Sequence, residues 1–503
     1  MSTPALKIAQ SEGCWVDGRA RYFRYRHNQL VGLYNLISSN RTSFVESIRE
    51  DSGKSELEAT VEVAVVLRHL KATYEAIPFD ALAQRVKSLK MSGTLERPAG
   101  FVAVYGHWTA PLDSVLSPLG AAIAGGSVVV SVLKLDVEAK ATYELLCKLC
   151  KGAIDTTAYP ILLGSASVVE QTASASFTSY HATSTDMGFR KRIQTLAAGN
   201  SASLTMLPEK LGHNVCIVSK TIPQQDLASV AEQVCRSNFG CVGGQGLSAT
   251  SIVLVHEAIH DRFAQEMVKA TRQLFPRSGN GWKDVAKFQA TAGEYEALSQ
   301  SLMGHNVICG GEYDKNFGTF APTIVESVKP DSVLLVRSRG TPVVPLVPFT
   351  STETAIAVAQ ERLGHSLYVF GTELEADYFA NELRPSIVSH GAIPLDQLVG
   401  VMPSSTVTNN GIRWPISLFV RSTSIVQQHP GVDDLIMPPY GAWHIGAIYS
   451  KLLPAPRVLA VRRKRHSASV GRNFFLQGAF LSLSVIGTTV VAAGILAYHV
   501  FLR

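Results

Sequence analysis

The sequence predicts an α/β protein built as two units of parallel sheet covered by helices, with a C-terminal transmembrane helix. Three observations carry this. Between residues 101 and 149, short apolar runs alternate with helix-length amphipathic stretches, the pattern of strands joined by crossover helices. The same alternation returns between residues 215 and 383. Finally, residues 473–502 contain no Asp, Glu, Lys or Arg. A chain of 503 residues also exceeds what one hydrophobic core ordinarily holds.

Taken in order, His27 to Pro78 reads as helices. Leu30, Leu33, Tyr34, Leu36 and Ile37 form one apolar face, and Val61, Val65, Leu67 and Leu70 another. Phe101–Tyr105 is an apolar run that stops at Gly106 and reads as a strand. Leu116–Ile123 suits a helix, Val128–Val132 a second strand and Val137–Leu149 a second helix. Further on, Val215–Val218 and Ile252–Val255 read as strands, followed by helices over Asp226–Phe239 and Ala258–Leu274. Ala355–Arg362 is helical, Leu367–Phe370 a strand and Glu373–Leu383 a helix. Residues 441–472 lack a core pattern and read as a basic linker.

Hydrophobic content of 46% and charged content of 17% describe a globular protein. The net charge of +6 gathers partly near the C-terminus, and no basic stripe interleaved with aromatics suggests nucleic acid. Seven scattered cysteines, an odd number, form no disulfide framework and suit a reducing compartment. Cys147-Lys-Leu-Cys150 lies on a helical pattern without a second pair, which favours packing over metal or redox work, and no metal site is expected. The N-terminal Met-Ser-Thr-Pro-Ala-Leu-Lys shows no apolar core of a signal peptide. Phe480–Leu502 is long enough to cross roughly 30 Å of hydrocarbon at about 1.5 Å per residue. Arg457, Arg462, Arg463, Lys464, Arg465 and Arg472 precede this span and only Arg503 follows it, so residues 1–472 are expected in the cytosol. The expectation is a single-pass C-terminal anchor over 478–502 in the endoplasmic reticulum, outer mitochondrial or peroxisomal membrane, with the lipid bilayer as a partner.

Four short stretches carry chemistry. GFVAVYGHWTAPLDSVLSPLGAAIAGGSVVV, residues 100–130, sets Trp108 and Pro111 in a turn between a strand and a helix. HATSTDMGFRKRI, residues 181–193, contains Ser184, Thr185 and Gly188. EKLGHNVCIV, residues 209–218, sets Glu209 before a strand. GGQGLSATSIVLVH, residues 243–256, is a Gly-rich loop feeding another strand, with Gly244, Gln245, Ala249, Val255 and His256 as marks. In this order the stretches resemble the aldehyde dehydrogenase superfamily over about residues 25–440. The class 3 branch, which includes membrane-anchored fatty aldehyde dehydrogenases, looks closest. HSLYVFGTE at 365–373, MPPY at 437–440 and the anchor agree with it.

The resemblance implies two Rossmann-type α/β domains plus a small oligomerisation element. The dinucleotide-binding-like domain would span 20–210, the catalytic-like domain 211–400 and a return and oligomerisation segment 401–440, before the linker and anchor. It implies oxidation of fatty or lipophilic aldehydes with NAD or NADP, in a homodimer formed through segments near Gly93–Gly100 and Ile416–Val426. Trp108, Ser184, Thr185 and Gly188 fall on cofactor positions. The family's cofactor lysine falls near Val132, with Lys134 close by. Glu209 falls on the general base. The remaining positions depart from the family. Leu247 stands at the catalytic cysteine, Thr109 at the asparagine that holds the oxyanion, and Thr183 at the first glycine of the turn. Arg337 or Ser338 stands at the glutamate that holds the nicotinamide ribose, and Pro403–Thr406 replaces a Pro-Phe-Gly-Gly loop.

Aldehyde oxidation in this family needs a thiolate, and leucine supplies none. Losing a preorganised oxyanion donor typically costs ~2.7–4 kcal/mol of barrier. Three readings stay open. One is a family member without thiol-dependent oxidation, acting as a membrane-tethered scaffold or binding subunit. Another is a divergent enzyme on a lipophilic metabolite that uses Glu209 as base or Cys241 as nucleophile. The third is an ordinary fatty aldehyde dehydrogenase, if this register is wrong.

Overall fold

A computed structural model describes residues 3–425 apart from 78–92, 135–138, 165–171, 173–174, 279–280, 283–284, 286–291, 315–318 and 405–410. The expected linker, the MPPY stretch and the anchor lie outside the described residues. Among the described residues, no helix is long and apolar enough to cross a membrane.

The first sheet has five parallel strands: β2 (Phe101–Tyr105), β3 (Val128–Lys134), β4 (Ile161–Gly164), β5 (Ser179–Thr183) and β6 (Ser203–Leu207). Their spatial order is β4-β3-β2-β5-β6. The run Val128–Val132 is buried throughout, as a strand covered on both faces requires. Helix Asp113–Gly125 is buried along its whole length, with helices Phe23–Ser39 and Glu56–Glu75 packed on it. An N-terminal helix, Pro4–Asp17, which the apolar pattern did not reveal, packs on β3.

The second sheet is built on β7 (His213–Val218) and β8 (Thr250–His256). With β9 (Asn306–Cys309), β10 (Thr323–Glu326), β11 (Val343–Phe349), β12 (Leu363–Phe370) and β13 (Ile387–His390), its order is β9-β10-β11-β8-β7-β12-β13. Only β9 runs antiparallel to its neighbour. Side chains alternate between its faces: Val215, Ile217, Ile252 and Leu254 enter one core, and Cys216, Val218, Val253 and Val255 the other. β1 (Gly93–Pro98) and β14 (Val420–Ile425) form a separate antiparallel arm.

Two features place a site. β2 leads to β3 and β4 on one side, while β5 and β6 extend the sheet on the other. Ligand crevices in such sheets lie at this reversal, outside the carboxyl ends of the strands. The carboxyl end of β6 then leads through the short link Pro208–Gly212 to the amino end of β7. The loops beyond the first sheet and the loops before the second therefore share one region.

Candidate active-site cleft

A cleft of about 250 Å³ occupies this region. Trp108 and Thr109 reach it from the loop after β2, Thr185 from the turn after β5, and Leu247 from the loop before β8. Lys210, Leu211, Gly212 and Asn214 line it as well, so the structure gathers residues from all four sequence stretches around one space, although Glu209 itself is not among the lining residues.

The Leu247 loop is tightly determined. Val242, Gly243 and Gly244 adopt successive left-handed conformations, with φ of 50°, 58° and 81°. A β-branched residue there is strained. The Val242 N–H donates to Glu58 Oε1 at 3.0 Å, which holds the turn. At Gly244 a Cβ would stand 2.0 Å from the Thr341 carbonyl oxygen, and at Gly246 it would stand 2.2 Å from Cys241 Sγ. The Asn214 amide donates to the carbonyls of Leu247 (2.9 Å) and Ala249 (3.0 Å), and the Tyr368 hydroxyl to that of Ser248 (2.7 Å). Leu247 is half-buried and packs against the core of the first sheet.

Thr109 is committed elsewhere. Its hydroxyl lies 2.8 Å from His107 Nδ1, which the Thr109 N–H also approaches at 3.4 Å. The Thr109 carbonyl accepts from Lys54 Nζ at 2.7 Å, and Lys54 is paired with Glu62 at 2.8 Å, both buried. Burial pushes His107 down to about 4, helped by Lys134 and Lys54, so it stays neutral. Neither His107 nor Lys54 was singled out from sequence. The position of His107 beside Trp108 was the one available signal.

Glu209 is exposed, and its Oε1 accepts from the Ser404 N–H at 2.8 Å. Desolvation works against its charge. Hydrogen bonds from Ser404 and Ser386 and the nearby His365 outweigh this and hold the carboxyl below its usual range. His365 lines the cleft, bonds Met402 O at 3.1 Å through Nε2, and leaves Nδ1 without a partner.

Cys241 lines a different cavity, of about 440 Å³, on the other side of the same loop. Its thiol donates to the Leu398 carbonyl at 3.1 Å and is pushed up to about 12 by burial and by Glu58. Ser248 is buried and donates to the Gly400 carbonyl at 3.4 Å.

The cofactor positions stand at the carboxyl edge of the first sheet. Ser184 and Thr185 directly follow β5, and Lys134 ends β3, exposed. Asp186 caps helix Met187–Gly199, its Oδ1 accepting from the N–H groups of Gly188 (2.8 Å) and Phe189 (3.3 Å). Ser184 Oγ accepts from the Asp186 N–H at 3.1 Å. Trp108, Ser184, Thr185 and Lys134 fit the nucleotide half of a dinucleotide in the switch-point crevice. The other end does not fit nicotinamide. Ser338 is buried, its hydroxyl directed to the carbonyls of Leu335 (3.2 Å) and Ser251 (3.4 Å). Arg339 and Lys210 line the cleft while, among the described residues, no carboxylate does, so no described lining residue accepts from ribose hydroxyls as an acid would. Among the described residues, His260, Asp261 and Glu326 bring potential metal-ligand atoms within 4.8 Å of one another, and none of them lines this cleft.

Known proteins share this architecture. The profile of the aldehyde dehydrogenase family matches residues 10–403. The chain is 25% identical over 424 residues to a protein of Rattus norvegicus named aldehyde dehydrogenase, dimeric NADP-preferring, covering 82% of this chain and 90% of that one. It is 24% identical over 376 residues to aldehyde dehydrogenase family 3 member A2 of Pongo abelii, covering 73% and 75%. Among solved structures, the substrate-bound state of Staphylococcus aureus AldH has a TM-score of 0.73 at 20% identity, covering 90% of this chain and 100% of that one. Betaine aldehyde dehydrogenase of the same organism in complex with NAD+ has a TM-score of 0.67 at 17% identity, covering 83% and 85%. At these identities the structural likeness shows the fold.

Proposed function

The chain belongs to the aldehyde dehydrogenase family, and on that premise we propose that it is a membrane-tethered, class 3-type member that no longer performs thiol-dependent aldehyde oxidation and serves as a binding or scaffold subunit for lipophilic molecules. Leu247 carries this reading. It stands at the nucleophile position, points to the cleft, and packs on the facing core. A hydrocarbon side chain offers no lone pair to a carbonyl carbon. Thr109 does not make good the loss, because its shorter side chain has its hydroxyl bonded to His107 Nδ1. Glu209 keeps a carboxylate near the cleft, but its bonds to Ser404 make it a weaker base than an unencumbered glutamate.

NAD(P), which relatives use as the hydride acceptor, meets residues that fit its nucleotide half alone, so no hydride transfer is derived for this chain. A divergent reaction through Cys241 has little support: its thiol lies in the other cavity and is strongly protonated at neutral pH. The uncharged span 473–502 behind a basic flank supports a C-terminal anchor with the bulk in the cytosol, in the endoplasmic reticulum, outer mitochondrial or peroxisomal membrane. The two-stranded arm, with Glu96, Arg97, Arg421, Ser422 and Thr423 exposed, and Val388 on the edge strand β13 support a homodimer.

The test uses the purified full chain. With hexadecanal and NAD or NADP, turnover is expected to stay at background. Leu247→Cys is expected to raise hydrolysis of p-nitrophenyl acetate, which needs no cofactor, by about 10²-fold or more. Aldehyde turnover by the unaltered chain that disappears in Cys241→Ser sinks the reading.

A further inference from the structure

The cleft continues outward. A second cavity, of about 480 Å³, shares Gln245, Arg339 and Gly340 with it. Together they form one trough. Lys210 lines the inner part, Arg337 the outer part and Arg339 both. Among the described residues, the inner part has no lining carboxylate and the outer part has only Glu294. Among the described residues, none of these three cations has an ion-pair partner, although exposed cations on this chain elsewhere find one, as Arg277 does with Glu312 at 3.2 Å.

The field of these groups is felt by their neighbours. His213, also on the outer wall, is held down to about 4 by burial first and by Arg339 and Arg362 next. Lys210, Arg337 and Arg339 on one concave surface, against the single lining carboxylate Glu294 among the described residues, leave an excess of positive charge that an anion offsets. A neutral aldehyde does not.

We infer that this trough binds an oxyanion head group, a carboxylate or phosphate, between Lys210 and Arg339. The inference rests on the reading that Leu247 has ended thiol chemistry here, since a cleft freed from aldehyde turnover keeps a ligand rather than converting it. Arg339 presents a planar fork suited to two oxygens, and Lys210 adds a point charge on the same wall.

Titration calorimetry on the full-length protein tests this with hexanoate, hexyl phosphate and hexanamide. At least one of the two anions is expected to bind, more weakly as ionic strength rises, while hexanamide does not. Binding of hexanoate alone assigns a carboxylate ligand, and of hexyl phosphate alone a phosphate ester. Arg339→Gln and Lys210→Gln, both at exposed positions, are each expected to weaken anion binding by about fivefold. Equal binding of hexanamide and hexanoate, no binding of either anion, or unchanged affinity in the double variant overturns the inference. Those outcomes leave the loss of thiol chemistry untouched. Aldehyde turnover by the unaltered chain would instead remove that reading while the anion titration still stood or fell on its own.

Discussion

The loop at residues 240–249 has two faces, and they differ in kind. One lines the cavity that holds Cys241, with Glu56, Glu58 and Glu62 and also Arg49, Lys54 and Arg236 around it and Leu57, Leu274, Phe275 and Leu398 as apolar wall. The other lines the trough, with Leu247 at its centre and Lys210 and Arg339 beside it. A thiolate is stabilised by nearby cations and opposed by carboxylates and burial. Here the thiol sits deeply buried among groups of both signs, with Glu58 raising its pKa and Lys54 lowering it. The cleft around Leu247 carries Lys210 and Arg339 without a carboxylate among the described lining residues.

The wall between the faces is the first place to break this contrast. Lys54 lines the Cys241 cavity, yet its ammonium also holds the Thr109 carbonyl of the cleft. Lys54→Met leaves Glu62 buried without its partner and is expected to cost about 3–5 kcal/mol, read from the urea midpoint. Adding Glu62→Gln, which keeps an acceptor for the Leu112 N–H, is expected to return much of that. A loss below about 1 kcal/mol would show that the wall does not rest on this pair.

The close approach of Cys241 to Gly246 offers a smaller lever. Gly246→Ala forces a methyl against the sulfur and is expected to cost about 1–3 kcal/mol. Cys241→Ala in the same chain makes room and is expected to recover part of it. Purely additive effects in this cycle would mean that the faces are not locked together.

The smallest effect is in pH. His107 and His213 flank the cationic face, both pushed down to about 4 from an ordinary 6.5, by burial before the cations. Their folded pKa values lie below the unfolded ones, so the unfolded chain takes up the extra protons. Stability is expected to be full above about pH 6.5 and to fall towards pH 4. His107→Gln and His213→Gln are each expected to flatten that fall in thermal melts across the range. An unchanged slope would remove the electrostatic part of the contrast.

Much of the fold was legible because apolar runs and helical spacing mark buried elements. Phe101–Tyr105 and helix Glu373–Leu383 lie where the pattern sets them. β5 was not legible: Ser-Tyr-His-Ala-Thr shows no apolar run, although the strand is buried throughout, with Ser179 Oγ 2.7 Å from His181 Nε2. The N-terminal helix was hidden by a weak apolar stripe broken by Gly13. At the site, the order of motifs gave the positions, while the state of each group came from partners remote in sequence. Glu209 depends on Ser404, and Thr109 on Lys54. No local pattern encodes such pairs.

The β1–β14 arm has a consequence for the order of folding. Gly93–Pro98 waits for Val420–Ile425 before either strand has its partner. Closing so long a loop adds only slowly to the entropy cost as length grows, so the finished arm is no great burden on stability. Kinetically it is a non-local contact, which chains make late. During synthesis the first of these strands leaves the ribosome long before the second, and in that interval its edge is open to any other strand.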